Sequence, residues 1–258
     1  MDDLKKNKNW NMFVEENKLF ATKGADEIYF LDDIDEECVN DVYNLYLEDK
    51  FEQIDKNILE KLKQAGIIYE KIYNRTNKLK VAIKYIGTNN FNLNNSINNR
   101  IANSNNIDIV DTINDCDLLL IIRTNEKLKE VLRDYDKIKV PHLFVDLAYS
   151  NTISIGPIVY KNETACLGCF IGRITRIWGD PVIPEEPQIL EKYELISDLI
   201  IERLNEFIIF GNCPDLVNGV WNFNTSEFNT KLDKTYKLPW CPICNSIKEN
   251  EKIELPWT

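Results

Sequence analysis

Two short cysteine pairs, Cys166-Leu167-Gly168-Cys169 and Cys241-Pro242-Ile243-Cys244, constrain this 258-residue chain more than any other feature. A Cys-x-x-Cys unit sets two sulfurs at the spacing that grips one tetrahedral metal ion, and two such units complete a four-thiolate set. The first pair runs into an expected helix through Phe170, Ile171, Gly172 and Arg173. The second follows the loop-like Leu238-Pro239-Trp240. One zinc ion held by Cys166, Cys169, Cys241 and Cys244 would tie together segments far apart in sequence. Four thiolates leave no open position for water or substrate, so the expected zinc is structural, not catalytic or redox-active.

The cysteine total is seven, an odd number, and paired Cys-x-x-Cys units in a reducing compartment indicate metal before disulfide. Cys38, Cys116 and Cys213 stand alone and read as small buried apolar residues. The single histidine, His142, lies inside the apolar run Val140 to Leu147 and reads as a packed core residue; one imidazole makes a His-dependent hydrolytic triad an unpromising reading. A start of Met1-Asp2-Asp3-Leu4-Lys5-Lys6 has no signal-peptide apolar region, and no apolar run approaches membrane-spanning length. The expectation is a cytoplasmic protein without membrane partners. A formal charge of −11 argues against nucleic acid as a partner. Part of that charge sits in Asp32, Asp33, Asp35, Glu36 and Glu37, which read as a solvated helix approach in preference to a docking patch for a basic peptide.

The length admits one large domain or a small one followed by a medium one. Residues 11 to 31 read as a three-stranded meander through Phe13 and Val14, Leu19 and Phe20, and Ile28, Tyr29 and Phe30. Asn17-Lys18 and Lys23-Gly24-Ala25 supply its turns. Val39, Val42, Tyr43 and Tyr46 recur at helical spacing and predict a helix from Glu37 to Leu47. A short helical turn is expected around Lys50 to Ile54, and Asp55 caps a further helix that carries Ile58, Leu59 and Leu62 and stops at Gly66. Three strands followed by helices make residues 1–75 a winged-helix-like module, and its acidity disfavours DNA. The strand Glu27, Ile28, Tyr29, Phe30, Leu31 offers an exposed edge, and Ile58 and Leu62 could floor an apolar groove beside it. Phe30, Leu59 and Val42 are expected in the core, whereas Tyr29, Leu31 and Leu62 could serve core or groove.

Residues 76–258 alternate strands with helices, which suggests an α/β domain with a largely parallel, covered sheet. Strands are expected at Leu79 to Ile86, Ile107 to Val110, Asp117 to Ile122, Val140 to Asp146 and Ile153 to Tyr160, with a helix from Asn125 to Tyr135. The longest helical pattern, Gln188 to Ile209, is apolar over a broad stripe and reads as a core helix or a homodimer contact. A nucleotide site of this class needs a glycine-rich turn after the first strand. Only Gly87 is there, and the Asn-rich sequence from Asn89 to Asn106 reads as a poor helix. No nucleotide cofactor is therefore expected.

The segment Gly156-Pro157 to Cys166-Leu167-Gly168-Cys169, and the strand pair around Trp221-Asn222-Phe223 and Tyr236-Lys237-Leu238 leading to Pro239-Trp240-Cys241-Pro242-Ile243-Cys244, resemble the ubiquitin-activating-like (ThiF-type) proteins of thiazole and oxazole peptide pathways. The layout is similar to the zinc-bearing scaffold subunit of azole-forming microcin synthetases. The N-terminal module resembles the domain that recognises precursor leaders in ribosomally made natural-product pathways, where the leader adds a strand to the third strand and packs on the last helix.

That resemblance implies a Rossmann-type α/β domain with a four-cysteine zinc site, a bacterial cytoplasmic location and a homodimer. It implies a precursor leader peptide as ligand, a YcaO-type ATP-dependent cyclodehydratase as partner, and a flavin-dependent dehydrogenase acting afterwards. The family's thioester cysteine is not identifiable, Cys213 being the nearest candidate. The expected function is a leader-binding scaffold that is not catalytic by itself. The alternatives are a ThiF-like enzyme that adenylates a peptide carboxyl, and a winged-helix regulator with a zinc domain, which the charge disfavours.

Overall fold

The structure is a computed structural model describing residues 4–24, 27–31, 34–70 and 77–244, save the Trp178 side chain. The acidic residues Asp32 and Asp33 lie outside the described residues. The chain divides into two compact units, Met1–Ile72 and Tyr73–Thr258.

In the first unit, β1 (Leu4–Lys6) precedes a meander of β2 (Trp10–Glu15), β3 (Lys18–Lys23) and β4 (Glu27–Leu31), antiparallel in the order β2-β3-β4. Glu16 and Asn17 both adopt positive φ (48° and 57°), the geometry of a two-residue hairpin turn whose twist matches its strands. Alternation then sorts the faces: Met12, Leu19, Ala21 and Leu31 are buried, while Phe13, Phe20 and Phe30 form a row on the opposite face, with centroids 5.5 and 5.2 Å apart. Two helices cover the buried face's core. In α1 (Val39–Leu47), Val39, Val42 and Tyr46 point inward at helical spacing. In α2 (Lys56–Gln64), the Asp55 side chain accepts the Asn57 N–H at 2.9 Å, and Gly66 ends the helix at φ 69°. A short 3-10 turn, Phe51–Gln53, joins the helices, and β5 (Ile68–Glu70) returns to pair with β1.

Two residues behave differently from the sequence expectation, and Leu62 takes one of the two places left open to it. Phe30, expected in the core, is 41% exposed because its register partner Phe20 puts it on the outer face. Leu62, 0% exposed, belongs to the core and does not floor a groove. Cys38, expected to be buried, is exposed.

The second unit is built on a seven-stranded sheet in the order β12-β11-β10-β9-β8-β6-β7. From β6 (Leu79–Ile86) the chain passes through α3 (Phe91–Ala102) to β7 (Ile107–Ile109), then crosses to β8 (Leu118–Arg123). It continues through α4 (Leu128–Val131) to β9 (His142–Tyr149). These four strands are parallel. After β10 (Thr152–Val159) come α5 (Leu167–Trp178), α6 (Tyr193–Phe210), β11 (Gly219–Asn224) and β12 (Asn229–Lys234), and these last three strands join antiparallel. The sheet is thus mixed, not largely parallel. Every residue of β8 is buried, and separate apolar clusters lie on the two sheet faces, one under α3 and α6 and one under α4 and α5.

The Asn-rich stretch forms a helix after all. Asn90 caps α3 by accepting the Leu93 N–H at 2.9 Å, and Leu93, Ile97 and Ile101 pack into the core. That stripe, with Arg100 bridging to Glu194 and Asp198 of α6 at 2.6 Å each, outweighs the weak helix propensity of asparagine. Conversely, the helix expected from Asn125 to Tyr135 shrinks to α4, because Asp134 turns left-handed at φ 57° before a 3-10 turn at Tyr135–Lys137. Among the described residues, no helix is long and apolar enough to cross a membrane.

Candidate functional site

The four paired cysteines converge. Beyond β10, Thr164 Oγ1 accepts the Tyr160 N–H at 3.0 Å and the Asn218 side chain accepts the Ala165 N–H at 2.8 Å, fixing the approach to α5. Cys166 then occupies the N-cap position of α5, without a side-chain capping bond, and Cys169 lies in its first turn. Cys241 and Cys244 arrive from beyond β12, and the Leu238 N–H points at Cys169 Sγ at 3.3 Å. The sulfurs stand 3.8 Å (Cys166 to Cys169), 3.5 Å (Cys166 to Cys241) and 3.3 Å (Cys169 to Cys244) apart, with all four within 4.8 Å. Four ligands at zinc–sulfur distance around one ion would be separated by about 3.8 Å, so the set fits a single tetrahedral ion.

Gly168 makes the approach possible, since a Cβ there would stand 2.6 Å from Ile243 Cδ1 and 3.3 Å from Cys241 Sγ. Burial pushes the Cys169 thiol up to about 11 and raises Cys166 as well. Burial opposes ionisation of Cys241 too, but the Cys244 and Ile243 N–H groups prevail and lower its pKa. A bound cation favours thiolate at all four positions.

One packing detail beside this set is not evident in the sequence as a contact. His142, buried as expected, accepts from the Tyr135 hydroxyl at 2.5 Å through Nε2, with Nδ1 3.0 Å from the Val140 carbonyl. The Tyr135 hydroxyl in turn accepts the Leu167 N–H at 3.2 Å, linking β9 to the start of α5. Burial lowers the His142 pKa to about 4, so the ring is neutral.

A second feature lies where the parallel sheet reverses its strand order, between the C-terminal ends of β6 and β8, the position where open α/β sheets bind ligands. A crevice of about 680 Å³ is lined there by Thr88, Asn90, Asn125 and three carboxylates, Glu185, Glu186 and Glu191. Gly87, at φ 104°, serves packing: a Cβ would stand 2.4 Å from Asn125 Oδ1 and 2.7 Å from Thr124 Oγ1. Asn125 Oδ1 accepts the Thr88 N–H at 2.8 Å, and its Nδ2 donates to Thr88 Oγ1 at 3.0 Å and to the Glu185 carbonyl at 2.7 Å. Asn90 caps the adjacent α3. Two backbone donors that could face a phosphate are therefore already engaged, amid negative charge.

Sequence reasoning also missed the ion pair between the end of β8 and the middle of β9. Arg123 donates to both oxygens of Asp146 at 3.0 and 2.6 Å and to the Glu126 carbonyl at 2.8 Å. Both side chains are buried, and Asp146 holds the Arg123 pKa above its ordinary value against the opposing effect of burial. An arginine ending one apolar strand and an aspartate within the next were the available signal. Cys213 is buried, its thiol pKa raised by burial and its Sγ donating to the Arg203 carbonyl at 3.2 Å, a poor setting for a thioester nucleophile.

In the first unit, β4 is an edge strand among the described residues. Glu27 and Ile28 are exposed, Ile28 by 70%, and Tyr29 is half-buried. A groove of about 900 Å³ runs from Leu31, itself in the core, past α1 and α2, with half-buried Ile58 on its wall. Leu62 does not line it.

Folds of this arrangement occur in solved structures. A heterocyclase in complex with substrate and cofactor superposes with a TM-score of 0.59 at 12% identity, over 93% of this chain and 39% of that one. The heterocyclase TruD gives 0.52 at 14% identity, over 93% and 42%. E. coli MccB with MccA-N7isoASN gives 0.55 at 10% identity, over 94% and 99%. What is shared is the fold. This chain spans about four-tenths of the length of the two heterocyclases. No family model and no curated protein matches the sequence.

Proposed function

We propose that this chain is a leader-peptide-binding scaffold of a heterocyclase complex, itself without catalytic activity. The first unit acts as a winged-helix-like recognition domain: a precursor leader adds a strand to Glu27–Leu31, and its side chains enter the groove walled by Ile58. Leu62 packs in the core of this unit. The second unit is a ubiquitin-activating-like domain whose Cys166, Cys169, Cys241 and Cys244 hold one structural zinc. The remaining length of the matching heterocyclases has no counterpart in this chain. In this reading a separate YcaO-type ATP-dependent cyclodehydratase supplies azoline formation, and a flavin-dependent dehydrogenase can follow. The chain pairs with a second copy and works in the bacterial cytoplasm. Its contribution is binding energy and effective concentration.

The observation that carries the non-catalytic part is the crevice between β6 and β8. There Asn125 engages the Thr88 N–H and three glutamates line the walls. Phosphate binding at such a position depends on open backbone N–H groups and a favourable field; here the Thr88 and Leu93 N–H groups are engaged by Asn125 and Asn90 and the field of three glutamates is unfavourable, which supports the reading. The peptide-binding part rests on the open edge of β4 and the adjoining groove, the two elements that strand addition requires. The test is to assay the isolated protein for ATP hydrolysis and for binding to the leader of its co-purifying precursor. Binding without ATP and no turnover are expected. ATP consumption by the isolated chain would overturn the scaffold reading.

A further inference from the structure

We infer that the segment this chain recognises is cationic: an extended stretch in which apolar side chains alternate with lysine or arginine, the cations lying against an acidic groove. The inference rests on the peptide-recognition reading above and adds the chemistry of the occupant. The groove's apolar lining includes Leu31, Val42, Ile54 and Ile58. Its charged lining is one-sided, with Asp35, Asp41, Asp55 and Glu60 set against Lys61 alone. Asp35 and Asp41 are both exposed.

An acidic occupant would find little to hold it. The natural anion site in this groove is the N-terminus of α2, and the Asp55 side chain already accepts the Asn57 N–H there. A lysine or arginine on the occupant would instead meet carboxylates beside an apolar wall, where partial desolvation strengthens the attraction. Its aliphatic stem would cover Val42 and Ile58 while its charged head reached the rim. The chain's net charge of −11 steers approach in the same direction.

Strand addition fixes which residues go where. A strand paired with β4 alternates its side chains between the groove side, shared with Tyr29 and Leu31, and the outer face, shared with Ile28 and Phe30. On the outer face an apolar residue would extend the row Phe13, Phe20, Phe30. Lys18 lies over the Phe30 ring at 5.9 Å, which makes that face unfavourable for further cations. The cationic positions therefore belong to the groove side.

The test is a selection from a displayed library of random peptides on the full-length, metal-loaded protein. It is followed by affinity measurements on the winners and by labelling of Cys38, an exposed thiol on the groove lining. Winners rich in lysine or arginine are expected. They should shield Cys38, bind at least tenfold more weakly after Lys→Glu replacement, and lose affinity in high salt and with the Asp35→Asn/Asp41→Asn variant. Winners that shield Cys38 but are acidic or neutral, and bind the variant unchanged, would overturn the charge inference while leaving peptide recognition standing. A selection yielding no peptide that shields Cys38 would overturn both. Circular dichroism matching the parent confirms that the double variant is folded.

Discussion

Asn125 and Thr88 are joined by two hydrogen bonds: the Asn125 carboxamide accepts the Thr88 N–H at 2.8 Å and donates to its hydroxyl at 3.0 Å. Together they close the turn that follows the first parallel strand. Titration with ATP and magnesium should therefore give no binding heat. Replacing Asn125 with alanine should lower stability by about 1 kcal/mol, as Thr88 and the Glu185 carbonyl lose their partner. Because the surrounding glutamates remain, the variant should still not bind nucleotide. Tight ATP binding by the parent, abolished by substitution at Thr88, would contradict this account.

Metal analysis of the purified protein should return about one zinc per chain, on the four-thiolate argument. Cys166→Ser and Cys241→Ser should each lose most of the metal and become poorly soluble, because three thiolates no longer close the shell and the start of α5 comes adrift from the segment beyond β12. A chelator should lower the melting temperature of the parent and leave that of the Cys166→Ser variant unmoved. A parent protein free of metal at full stability would sink the structural-zinc proposal.

The elements legible in sequence were those whose signal is local. The Cys-x-x-Cys units marked four side chains that the fold gathers within 4.8 Å, and Asp55 and Gly66 marked the ends of α2. Features set by tertiary contacts were hidden. The stripe Leu93, Ile97, Ile101 is spaced for a helix, but asparagines obscure it until α6 is known to pack alongside. Asn125 reads as the start of a helix, and its actual role depends on Gly87, Thr88 and Glu185 arriving from elsewhere in the chain. Phe30 shows how a short strand misleads: its neighbour Leu31 is just as apolar, and only the register with β3 decides which of them faces the core.

Acidification should weaken the fold through His142. Its pKa falls from 6.5 to about 4 on burial, so the unfolded chain takes up a proton over a range in which the folded chain does not. Stability from this group is complete above pH 6.5 and declines as the pH falls toward 4, with roughly 2 kcal/mol lost by pH 5. Urea denaturation at pH 7.5 and pH 5 measures the loss, and His142→Gln should reduce the difference between the two. An unchanged difference in that variant would rule out His142 as the source.

Leu62 and Ile58 lie on the same helix, and one variant of each separates fold from recognition. Leu62 is 0% exposed, so Leu62→Ala opens a cavity in the small core and should cost about 2–5 kcal/mol, read as a lower denaturation midpoint. Ile58 is half-buried and faces the groove, so Ile58→Ala should cost only about 1 kcal/mol. If a leader strand lies along β4 with its side chains in that groove, affinities measured where both variants are folded should split the other way. Ile58→Ala should weaken leader binding severalfold, while Leu62→Ala should bind as the parent does. Ile28→Ala, at an exposed position on the edge strand, should leave stability within about 0.5 kcal/mol and weaken binding. Equal affinity of all three variants would place the peptide elsewhere on the molecule.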